Sequence, residues 1–122
     1  MPIASDEGQQ IATIAGTHST VTRWVSLGIL TPSAGRPGPG VGYSWTADDV
    51  RDAQVARRLI DLGISRAVTA LAMQVWREQQ RPDGHVGAAM RGERLRGRCW
   101  TDASALAADL REGWAVAAVP TW

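Results

Sequence analysis

Hydrophobic positions recur at helical spacing through the first two thirds of the chain and at strand spacing through the last third. Ile11, Ile14 and Ala15 fall on one side of a helix predicted over about 7–15. Ala15-Gly16-Thr17-His18 breaks it, and Gly16 permits the positive φ of a tight turn. A second helix follows over about 19–27, with Thr17 or Ser19 as N-cap and Val21, Trp24 and Val25 on one side. Gly28 ends it, and Ile29-Leu30 returns to the core. Thr31 to Gly42 holds three Pro and four Gly, so it is neither helix nor a well-paired long strand. It reads as a stiff loop, with Val41 to Trp45 extended behind it.

Thr46-Ala-Asp-Asp49 has the form of a capping box. The helix it opens runs to about Leu62, with Val50, Ala53, Ala56, Leu59 and Ile60 inward, and Gly63 stops it. Ser65 caps the next helix, over about 66–80, whose Val68, Leu71, Ala72, Val75 and Trp76 fit an i, i+3, i+4, i+7, i+8 stripe. Arg81-Pro-Asp-Gly84 is a turn signal, and the period changes after it. His85 to Met90 and Leu95 to Trp100 read as strands joined around Arg91-Gly-Glu-Arg94. Asp102 caps a helix over about 103–112, with Leu106, Ala107 and Leu110 inward. Trp114 to Val119 is a strand apolar on nearly every residue, so both of its faces want cover. The expected fold is α+β, with a mainly α unit over 1–80 and a small ββαβ element over 81–122.

Composition narrows the function. All thirteen basic residues are Arg, so every side-chain cation can make a planar, bidentate contact to phosphate or guanine. The formal net charge is only +1, so affinity for a polyanion has to come from placed charges rather than a bulk field. Residues 66–100 are the basic part, with seven Arg against three acids. Cys99 is the one cysteine, which excludes an intrachain disulfide and a multi-Cys metal site. No apolar run approaches the ~18 residues of a membrane span and no signal peptide is evident, so a cytoplasmic protein without membrane contact is expected. His18 and His85 have no nucleophile or carboxylate partner in a motif, and there is no phosphate loop or paired-carboxylate signature. The reading is of a non-enzyme that needs no cofactor or metal.

Two short helices joined by a tight turn, then a Gly/Pro loop, an extended return and a further helix, make a winged helix-turn-helix. A helix fits the DNA major groove, while a loop beside it grips flanking backbone or minor groove. The run Ile11-Ala-Thr-Ile-Ala-Gly16, then Ser19-Thr-Val-Thr-Arg-Trp24, then Leu27-Gly-Ile-Leu30, resembles the DNA-binding domain of the MerR family and the related small regulators and phage excisionases. Trp45, Asp48-Asp49-Val50 and Gly63-Ile64-Ser65 match further steps of that pattern, and the match spans about 8–80. Two features depart from it. The wing arginine usual in the family is missing from Gly42-Tyr43-Ser44, and the ββαβ element stands in place of a long dimerising helix.

The resemblance implies a transcriptional regulator that binds double-stranded DNA as a homodimer. Its candidate contacts are Ser19, Thr20, Thr22 and Arg23 on the recognition helix, Arg36 and Tyr43 on the wing, and His18 beside the turn. Arg94, Arg96 and Arg98 alternate, so a strand places them on one face, as a stripe for an anionic partner or as a plain solvated face. The alternatives are an excisionase-like architectural DNA-binding factor, or an antitoxin or ligand sensor whose C-terminal element binds a protein or small molecule. That element has little core of its own. It is expected to borrow cover from the winged unit or from a second copy, and the missing dimerising helix favours the copy.

Overall fold

The computed structural model describes residues 6–32 and 43–122. Its elements are α1 (Asp6–Ala15), α2 (His18–Leu27), α3 (Ala47–Asp61), α4 (Arg66–Glu78), β1 (His85–Arg91), β2 (Arg94–Trp100), α5 (Ala103–Arg111) and β3 (Ala115–Pro120). The fold is α+β, with helices first and a three-stranded antiparallel sheet after them, in the order β2-β1-β3. Among the described residues no helix is long and apolar enough to cross a membrane.

Local chemistry sets the helix ends. The Thr17 side chain accepts from the Thr20 N–H and caps α2. The Thr46 N–H donates to Asp49 Oδ2 at 2.9 Å, and the Asp49 N–H donates back to Thr46 Oγ1 at 3.4 Å, closing a capping box on α3. Ser65 and Asp102 cap α4 and α5 in the same way.

One hydrophobic cluster joins the helices to the sheet. Ile11, Trp24, Ile29, Leu30, Leu59, Met73 and Trp76 pack in it together with Val86 of β1 and Val119 of β3. A smaller cluster, Ala89, Trp100 and Trp114 with Leu106 and Val116 against them, fills the other face of the sheet beneath α5. Both faces of β3 are therefore used, Val119 on one and Val116 and Ala118 on the other. Much of the cover for the ββαβ element comes from α3 and α4 of the same chain.

Two expected inward faces are corrected. On α4 the buried residues are Thr69, Ala70, Ala72, Met73 and Trp76, while Leu71 is 42% exposed. The cause is a close approach of main chains. A Cβ at Gly97 would sit 2.5 Å from the Leu71 carbonyl oxygen and 2.8 Å from the Ala72 Cα. With no side chain there, the α4 backbone lies directly on β2, and the Leu71 side chain is turned off the contact. On α5 the buried residue is Asp109, and Leu110 is 54% exposed. The Trp100 indole N–H donates to Asp109 Oδ2 at 2.7 Å and Arg98 Nε pairs with it at 3.0 Å, so a polar contact sets the rotation of this helix.

Another buried carboxylate ties α3 to the turn before β1. Asp52 has no exposed surface and takes a bidentate contact from Arg81, at 2.8 and 2.9 Å. Burial pushes its carboxyl above the usual carboxylate value, and the Arg81 hydrogen bonds and charge pull part of the way back.

Candidate nucleic-acid interface

The α1-turn-α2 segment presents one polar helix face. Gly16 (φ 106°) makes the turn, and Gly28 (φ 80°) closes α2 in the left-handed conformation that glycine adopts without strain. Val21 and Trp24 anchor the inward side in the core. Ser19, Thr22, Arg23 and Ser26 then stand outward at i, i+3, i+4 and i+7, all exposed.

The C-terminal end of α2 is held by a cation. Arg77 of α4 donates to the carbonyls of Gly28 and Ile29, both at 2.7 Å. A guanidinium on the carbonyl end of a helix also meets the negative end of its dipole. This clamp fixes where α2 points without using any residue of its outward face.

Ser19, Thr22, Arg23, Ser26 and Leu27 line a shallow depression together with Arg66, the first residue of α4. None of these six is acidic. The Thr22 hydroxyl donates to the His18 carbonyl at 3.1 Å, and the Ser26 hydroxyl to the Thr22 carbonyl at 3.1 Å. Both oxygens keep lone pairs for an outside donor. Arg23 and Arg66 supply planar donors, and among the described residues neither makes an ion pair.

The predicted contacts divide. Ser19, Thr22 and Arg23 come together in the depression, and His18 is exposed at the start of α2. Thr20 does not join them. It is half-buried, with its hydroxyl 3.0 Å from that of Thr17, so it belongs to the cap. Tyr43 is half-buried with its ring 5.5 Å from that of Trp45, which packs on the core. Arg36 and the rest of the expected wing tip, 33–42, lie outside the described residues.

Ser26 and Arg66 are the residues that sequence reasoning missed. Ser26 was legible, lying three residues past Arg23 on the same stripe. Arg66 was not, because periodicity does not say that the start of α4 abuts α2. The Arg94, Arg96 and Arg98 stripe is partly engaged internally, with Arg98 on Asp109 and Arg96 stacked on Trp114. No family model matches the chain, and no curated protein matches it.

Proposed function

We propose that this protein binds double-stranded DNA in a sequence-directed way through a winged helix-turn-helix, as a homodimeric transcriptional regulator. In this reading α2 is the recognition helix, entering the major groove, and the segment between α2 and α3 is the wing. The observation that carries it is the outward stripe of α2. Four hydrogen-bonding side chains, Ser19, Thr22, Arg23 and Ser26, stand on one rigidly anchored helix face with Arg66 beside them. Arginine with short hydroxyl and amide side chains is the set that reads base edges, Arg to guanine above all. The MerR-like resemblance, which spans about 8–80, includes this segment, and a protein with this role works in the cytoplasm.

The dimer has its own support. An apolar groove runs between the start of α4 and the open end of the sheet, lined by Ile64, Val68, Met90, Leu95, Ala115 and Ala117. Met90 is 50% and Leu95 43% exposed there. Apolar surface of this kind on an otherwise charged protein marks a contact site, and a two-fold operator calls for a second copy. The groove equally fits the reading of a ligand or protein partner held by the C-terminal element, which a monomeric protein would favour.

The test is selection from a random duplex library. The purified chain is expected to enrich one sequence, with two-fold symmetry and half-sites about 10 bp apart or a multiple of that. Failure to enrich any sequence, with the protein folded, would overturn the sequence-directed reading.

A further inference from the structure

Six of the twelve described arginines are tied to a carboxylate or to a main-chain carbonyl at the end of α2 or in the C-terminal segment. Arg51, Arg57, Arg81 and Arg98 pair with Asp83, Asp61, Asp52 and Asp109, and Arg58 and Arg77 donate to main-chain carbonyls. The tip of the β1-β2 hairpin gathers three more, and no carboxylate pairs with them among the described residues. Arg91 stands directly across from Arg94, and Ala89 across from Arg96, so the three arginines share one face. Glu93 lies in the same turn, yet among the described residues none of the three makes an ion pair. Like charges directly opposed destabilise a hairpin. Here they stand together with no ion pair to offset the repulsion among the described residues.

Two of the three guanidinium groups, those of Arg91 and Arg96, are held over one aromatic ring. The Arg96 Cζ lies 4.1 Å and the Arg91 Cζ 4.7 Å from the centroid of the Trp114 ring, and Arg91 Nη1 also donates to the Glu112 carbonyl at 3.3 Å. Stacking on an aromatic ring leaves in-plane N–H groups for an oxyanion and lowers the entropy lost when one binds. Trp114 itself is 4% exposed, so it offers no face on which a base could stack.

We propose that Arg91, Arg94 and Arg96 form a phosphate site for the backbone of duplex nucleic acid, apart from the α2 stripe and blind to base identity. The inference deepens the DNA-binding reading and rests on it for the identity of the polyanion. An acidic protein partner is disfavoured by the surface itself. Protein interfaces need apolar anchors at their centre, and the apolar residues of this face, Ala89, Trp100 and Val116, pack in the cluster beneath α5. What remains is charge with planar donors, which suits repeated phosphates.

The experiment measures binding of the full chain to random and to selected duplexes across about 50–200 mM salt, the range over which phosphate contacts show most strongly. Each phosphate contact removed lowers the slope of log K against log salt by roughly 0.9. Arg94→Gln should lower it by about one unit and R94Q/R96Q by about two, equally on both DNAs. Arg94 makes no ring contact, so Arg94→Gln leaves the Trp114 stack in place, and Arg94→Lys should restore the slope by restoring the charge. Arg23→Ala is run in parallel. An unchanged slope for R94Q/R96Q, while Arg23→Ala weakens binding to the selected duplex, overturns this proposal and leaves the α2 reading standing. Absence of DNA binding by the wild type overturns both. Tighter binding of poly-glutamate than of DNA, lost in R94Q/R96Q, assigns the site to an acidic protein and overturns the nucleic-acid assignment.

Discussion

Replacing Arg77 with Met keeps most of the aliphatic stem and removes the fork that holds α2. Two hydrogen bonds disappear, each 2.7 Å long, to the carbonyls of Gly28 and Ile29. Hydrogen bonds to charged groups contribute about 1.5–3 kcal/mol each. Arg77 is half-buried and Ile29 has no exposed surface, so water reaches the Gly28 carbonyl more readily than that of Ile29. The expected loss is then roughly 2–4 kcal/mol. A domain of this size has a total stability of about 5–15 kcal/mol. The melting temperature should fall by roughly 8–16 °C, near 4 °C for each kcal/mol. Urea unfolding followed by tryptophan fluorescence reads the change, and an unaltered m-value would show that the loss is one of stability and not of compactness. Arg77→Lys keeps the charge but can satisfy the two carbonyls less well, so it should fall between Arg77→Met and wild type. An Arg77→Met protein within ~0.5 kcal/mol of wild type, or an Arg77→Lys protein no better than Arg77→Met, would refute the clamp.

Gly97→Ala should cost about 3 kcal/mol, the upper end for overpacking, because the new Cβ would meet the main chain of Leu71 and Ala72 rather than a movable side chain; thermal melts check it, and a neutral substitution would contradict the direct α4-on-β2 contact. Burial pushes the Cys99 thiol up from 9.0 to about 11. The folded value lies above the unfolded one, so this contribution to stability is whole below pH 9.0 and is lost as the pH rises toward about 11. Alkylation at pH 8 should accordingly be roughly 100-fold slower for the native chain than for the urea-unfolded one, and equal rates would exclude a buried thiol. Leu95→Glu puts a charge into the apolar groove and should convert a dimer into a monomer at micromolar concentration in sedimentation velocity, with the fold retained; a variant that stays dimeric places the interface elsewhere.

Elements set by local chemistry were legible from the sequence. The Thr46-Asp49 capping box, the Gly28 helix end, the Asp102 cap and the hairpin around Gly92-Glu93 depend on residues a few positions apart, and the structure has each of them. What escaped depends on partners far along the chain. Asp52 is the clearest case. A carboxylate reads as surface, but Arg81 reaches it from 29 residues away and makes its burial tolerable. Asp109 on α5 is the same kind of case, since its position is set by Trp100 and Arg98. On α4, hydropathy favoured Leu71 over Thr69, and the glycine that decided the packing lies on β2. Within the candidate site the α2 stripe could be read from its period, while the half-burial of Thr20 against Thr17 could not, and Arg66 arrives only through the packing of α4.

The central claim is that α2 reads DNA through its outward face, and Arg23 is its most exposed commitment. The direct measurement is the affinity of wild type and Arg23→Ala for a selected duplex and for random DNA at one salt concentration. If Arg23 contacts a base edge, the substitution weakens binding to the selected duplex by about 1–3 kcal/mol, roughly 5- to 150-fold, and changes random-DNA binding far less. Equal affinities of the folded Arg23→Ala and wild-type proteins for both DNAs would contradict the account.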